Sequence, residues 1–271
     1  MPIHLFTRRK FLTFAALAPY AGSVDVAGMP DIAEANRWRA DLRFMASEMM
    51  RLHKNLFHTV SRAEFEAAVR LLDDKILLLG PHQIMVEMAK IAAMVGDGHT
   101  SISPTRDPRI GFRTYPIKCY FFEDGVFVRS ATKANTNLIG GRVIAIDESP
   151  FEAVYAKVRG IIGRDNEMGA RFFAPHLLCM PEVLHALGIA NDVDRATFTL
   201  EFSGKRVRPM LAPHGPARMM RPDTDASWLP EDGWLDAREA GGVSALWLSD
   251  PAKIFLDGTP RQSESALCTG Q

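Results

Sequence analysis

The sequence predicts an α+β protein, with an N-terminal helical bundle followed by a β-rich portion. Two observations carry this expectation. Up to Gly96, apolar residues recur at steps of three and four, which puts them on one face of a helix. Beyond Pro104 the pattern becomes short apolar runs broken by glycine turns, the spacing of strands and hairpins. The change falls at Val95-Gly96-Asp97-Gly98-His99-Thr100-Ser101-Ile102, where an acid, two glycines, a histidine and hydroxyls meet at a sharp turn.

Each element has its own justification. Trp38, Leu42, Met45, Met49, Leu52 and Leu56 share one face of a first helix. Ser61 and Glu64 have capping-box spacing, and Val60 and Phe65 are placed to staple the same start. Phe65, Val69, Leu72, Ile76 and Leu79 form that second helix's stripe, which Gly80-Pro81 ends. Ile84, Met88, Ile91 and Val95 mark a third helix stopped by Gly96. Three such helices joined by short turns predict a bundle over residues 31–103. Residues 112–211 read as β-rich. A hairpin runs from Ile117 to Arg129 around Asp124-Gly125, and a second from Thr197 to Leu211 around Ser203-Gly204. Between them, Asn137–Gly141 turns into a buried strand, Arg142–Asp147, and Ser149-Pro150 starts a helix with Phe151, Val154, Val158 and Ile161 on one face. A further helix is expected near 175–188. Residues 212–245 read as loop or linker, Ala245–Leu248 as one more strand, and the polar tail as disordered.

Composition narrows the function. The chain has 271 residues and a formal net charge of zero, which argues against nucleic acid or an anionic membrane surface as a partner. No apolar run reaches the roughly 18 residues of a membrane span. The N-terminus carries Arg8-Arg9-Lys10, then an apolar run from Phe11 to Ala18, then small residues at Ala21-Gly22-Ser23. That order predicts a twin-arginine-type export signal over residues 1–23 and a periplasmic or secreted protein. Its removal would take away three cations and leave a net charge of −3. The three cysteines, Cys119, Cys179 and Cys268, are widely spaced and make no disulfide framework, although an oxidising compartment permits a bridge. Cys119 and Cys179 are expected as buried small apolar side chains.

Five residues are candidates for a ligand site. Asp97 beside His99 sets a carboxylate against an imidazole, and Thr100 adds a hydroxyl. The plainer role is a helix stop in which Gly96 and Gly98 take positive φ and Asp97 braces the turn. Gly140 and Gly141 could point amides at a chain-terminal carboxylate while the following strand edge accepts a peptide. His53 and His58 lie five residues apart, off a common helical face, and read as a polar helix end. His176, His185 and His214 have no acidic or cysteine partner at ligand spacing. No metal or cofactor is expected. There is no Gly-x-Ser-x-Gly elbow or phosphate-binding glycine loop. After residue 226 the only lysine is Lys253, and no serine near it lies in a strand-turn-helix context.

Asn55-Leu56-Phe57-His58, Ser61–Phe65 and Gly96-Asp97-Gly98-His99-Thr100 together resemble the N-terminal region of the tail-specific, or C-terminal-processing, serine peptidases. Arg142–Asp147 after its glycine turn resembles that family's PDZ-like strand, with Glu148 where glycine is common. Ala245–Leu248 with Asp250-Pro251 resembles the lead-in to the catalytic core. The resemblance spans residues 31–255. It implies a PDZ-like domain over 112–211 and an exported endopeptidase with a serine nucleophile and lysine base in a later α/β core. Residues 212–271 then read as a linker and the truncated start of that core, which implies an inactive relative. The alternative expectation is a non-catalytic module that binds peptide, a protein C-terminus or a small apolar ligand.

Overall fold

A computed structural model describes residues 30–102 and 112–217, together with the backbone of a strand at 234–236. The expected export signal, the residues around Pro104, most of the linker, the Ala245–Leu248 strand and the polar tail lie outside the described residues. The architecture is mixed helix and sheet, as the periodicity predicts.

Helix α1 spans Ile32–Leu52 and starts where the Asp31 carboxylate accepts the Glu34 amide at 2.7 Å. Its buried face is Ala35, Trp38, Leu42, Met45, Ala46 and Met49. The expected helix is one turn too long, because the chain turns at His53 before Leu56. Helix α2, Arg62–Lys75, opens on the expected capping box: Ser61 Oγ accepts the Glu64 amide, and Glu64 Oε2 accepts the Ser61 amide. A 3-10 turn at Ile76–Leu78 tightens its end. Helix α3, Pro81–Ala93, buries ten of its thirteen residues, which fits an element surrounded by others.

The strands begin after the 96–102 turn, with a two-stranded sheet separate from the larger one. A short β1, Arg113–Thr114, pairs with β9, Gly215–Pro216. The hairpin β2 (Ile117–Phe122) and β3 (Gly125–Thr132) follows. Strand β4, Arg142–Ile146, lies between β3 and β6, Ala196–Phe202. Its far end turns back into β5, Ser149–Pro150. Strands β7, Lys205–Val207, and β8, Met210–Leu211, both pair with β6 around the Ser203-Gly204 turn, where both residues take positive φ. Strand β10, Trp234–Asp236, pairs with the end of β3. Helix α4, Phe151–Arg159, packs on β4, and α5, Glu167–Leu177, packs on β2. The helix expected near 175–188 is in fact two. The chain breaks after Leu177, and α6, Pro181–Ala186, restarts with proline in its first turn, where the missing N–H does no harm.

The bundle and the β-rich part share one continuous apolar core, in which Trp38, Phe65, Tyr115 and Phe198 are among the largest enclosed side chains. Each such side chain contributes roughly 1.5–3 kcal/mol by leaving water. One ion pair fastens β1 to α6. Glu182 is completely buried, and Arg113 satisfies both its oxygens, through Nε at 2.6 Å and through its own amide at 2.8 Å. The same guanidinium reaches Asp194 and the Val193 carbonyl. Removing one partner of a buried pair strands the other charge. Arg113→Ala is therefore expected to lower stability by about 3–5 kcal/mol, with Glu182→Gln costing clearly less, as read by urea unfolding.

Candidate functional site

The turn after α3 joins three parts of the chain. Gly96 takes φ +71°, and a Cβ there would lie 2.7 Å from Thr59 Oγ1. That hydroxyl donates to the Val95 and Met94 carbonyls and so closes the last turn of the bundle onto the α1–α2 connection. Gly98 is not at positive φ. It is glycine because a side chain would run into Asp165 Oδ2, while its amide donates to Asp165 Oδ1 at 2.9 Å. Gly163, in the same α4–α5 connection, presses on the turn so closely that a Cβ would collide with the Thr100 carbonyl.

Asp97 is the centre of this joint. Its Oδ1 accepts the His99 amide at 2.8 Å. Its Oδ2 accepts the Thr100 hydroxyl at 2.7 Å and faces His53 Nε2 at 3.1 Å. The Asn55 amide donates to His53 Nδ1, so the proton sits on Nε2 and is given to Asp97. Burial alone would push the Asp97 carboxyl up. The His99 amide, the Thr100 hydroxyl and His53 outweigh it and hold the pKa at about 2. His99 turns outward, with its Nδ1 at 3.6 Å from Asp97 Oδ1 and its side chain 70% exposed. The imidazole that engages the carboxylate is therefore His53, not the sequence neighbour His99. Thr100 is buried and committed as a donor. Neither arrangement prepares a nucleophile.

Asp97, His99 and Asp165 each offer one ligand atom, all within 4.8 Å of one another, a donor set that could take a divalent ion. Asp97 already accepts three hydrogen bonds and Asp165 accepts the Gly98 amide, so an ion would have to displace donors.

Gly140 and Gly141 lie in the turn that leads into β4, and their amides turn inward. Gly140 donates to the Val128 carbonyl at 2.9 Å and Gly141 to the Leu138 carbonyl at 3.1 Å. The expected cradle for a carboxylate therefore has no free donor at either position. Strand β4 also has strands on both edges, so it cannot accept a peptide as an added strand. Asp147 ends β4 at φ +47° and accepts the Thr197 amide at 2.7 Å, which locks the strand to β6.

Other residues acquire partners that their sequence neighbours did not announce. His185 meets His82 at 2.8 Å. His176, on α5, is pushed down to about 4 by burial and by the nearby charge of Lys118, so it stays neutral at physiological pH. Lys118 is the register partner of Ser130, which is buried. Directly opposed residues share a face of the sheet, so this register sets one serine across from one lysine.

No protein-family model matches this chain, and no significant match is found among curated proteins.

If the Asp97 carboxylate is a fastening, Asp97→Ala should lower stability by about 1–2 kcal/mol, a figure reduced for its partial exposure. Asp97→Asn should lower it by less. The sign of the pH dependence follows from the depressed pKa. The contribution is complete above the unfolded value of about 3.9 and is lost as the pH falls through about 2. Chemical unfolding of wild type and both variants at neutral and acidic pH measures this.

Proposed function

We propose that this chain binds extended peptide segments along the outer edge of β2 and that the Asp97 turn takes no part in breaking bonds. One observation carries the reading. Among the described residues β3 is the only strand paired with β2, and α5 packs against it. A strand edge with a helix at its side can take a peptide as an added strand, the main chain supplying affinity and apolar contacts supplying selectivity. Tyr120 on β2 and Met168, Phe172 and Phe173 on α5 are exposed apolar side chains of those two elements. The inward-turned face is filled: Phe121 packs against Phe151 and Tyr155 of α4, with the Arg171 guanidinium over its ring.

This reading keeps the peptide partner expected from the sequence and moves it from Gly140, Gly141 and β4 to β2. It belongs with the further proposals that residues 112–211 are PDZ-like and that the chain is an exported relative of the tail-specific peptidases. A serine-peptidase reading draws on a separate observation, the opposition of Lys118 and Ser130 across the ladder. A hydrolase of that type needs donors for the oxyanion as well as a neutral amine beside the hydroxyl.

A short labelled peptide of alternating valine and threonine tests both. The proposal expects saturable binding that N-methylation of alternate residues weakens at least tenfold and that Phe173→Ser also weakens. Amidation of the peptide's C-terminus should change the affinity by less than about twofold, because the Gly140 and Gly141 amides are engaged. Binding that survives N-methylation overturns the strand-addition reading. Labelling of Ser130 by a fluorophosphonate, with turnover of the peptide, would establish the peptidase instead.

A further inference from the structure

Two cysteines that lie sixty residues apart in sequence come together where β2 meets the end of α5. Cys179 sits in the turn between α5 and α6 and is 3% exposed. Cys119 lies on β2, immediately after the irregularity between Lys118 and Cys119, and packs against the core. The backbone holds the two segments together. The Tyr115 amide, just before β2, donates to the carbonyl of Cys179 itself at 2.8 Å. The Cys119 side chain has that of Cys179 as a hydrogen-bond partner, and no bridge joins them.

We propose that Cys119 and Cys179 are an oxidisable pair that forms a disulfide linking β2 to the α5–α6 turn. A disulfide needs Cβ atoms about 3.5–4.5 Å apart, a separation that the backbone sets, and rotation about each Cα–Cβ bond then brings the two sulfurs together. The bridge joins two elements already in contact, so it requires no rearrangement of the sheet. The oxidant is a small-molecule disulfide such as oxidised glutathione. One cysteine, as thiolate, attacks a glutathione sulfur, the glutathione S–S bond breaks, and one glutathione leaves as thiol. The second cysteine attacks the mixed disulfide and releases the second glutathione. The protein loses two hydrogens and the oxidant gains them. The hydrogen bond to Cys179, then burial, holds the Cys119 thiol well above the usual thiol range. The first step is therefore slow at neutral pH and speeds up as the pH rises, because only the thiolate attacks.

The test uses the full chain with Cys268→Ser, so that a third thiol cannot exchange. The folded protein is incubated with excess oxidised glutathione, acid-quenched, unfolded, alkylated and digested with trypsin. The expected product joins the peptide Cys119–Arg129 to the peptide Phe172–Arg195. Its yield rate should rise close to tenfold per pH unit between neutral and mildly alkaline pH. The oxidised form should melt roughly 5 °C or more above the reduced one, since the bridge closes a long loop. Cys119→Ser should abolish both the linked peptide and the reductant-sensitive rise in melting temperature. Recovery of both cysteines as alkylated thiols, or only as separate glutathione adducts, overturns the proposal.

Discussion

The Asp97 carboxylate is the constraint on which the arrangement of this chain turns. It is a partly buried anion, so it has to be matched by donors, and the donors come from two places. The His99 amide and Thr100 hydroxyl belong to its own turn, while the His53 imidazole belongs to the end of α1. The next amide, that of Gly98, reaches across to Asp165 in the α4–α5 connection. One turn therefore registers the bundle against the β-rich part. Gly96, Gly98 and Gly163 are small because Thr59, Asp165 and the Thr100 carbonyl come so close. A carboxylate so satisfied is held ionised and is a poor proton acceptor, which is why its closeness to a histidine does not make it a catalytic base.

What could be read from the sequence was what short-range physics determines. The apolar faces of α2, α3 and α1 as far as Met49, the Ser61–Glu64 capping box and both hairpins follow from spacing within a few residues and fold as expected, whereas Leu52, expected on the α1 face, is exposed. The break between α5 and α6 was missed because apolar residues continue through Leu177–Met180. Pro181 was the available signal, and its place in a helical first turn identifies it as a start. The site was legible only in part. Asp97 was found, but its partner His53 lies 44 positions away, and Asp165, which accepts the neighbouring Gly98 amide, lies 67 positions from that contact, and no local pattern reports such distances. The same holds for Arg113 with Glu182. Gly98 was expected at positive φ for want of any sign that Asp165 would crowd it.

The residues that give the chain its family-like appearance thus have structural duties. Gly96-Asp97-Gly98-His99-Thr100 fastens a joint, and Asp147 clamps the end of β4. A motif can serve through the geometry it enforces rather than through the groups it presents. Of the surfaces flanking the turn, β2 with its packed helix is the one on which the proposed peptide binding rests.

The fastening role of Asp97 is tested most directly by a double-mutant cycle between Asp97→Asn and His53→Gln, read by urea unfolding at neutral pH. A carboxylate that ties the turn to the end of α1 predicts a coupling free energy of about 1 kcal/mol between the two sites. Strictly additive losses would show that the two side chains act independently, and the joint would then have to be held by something else.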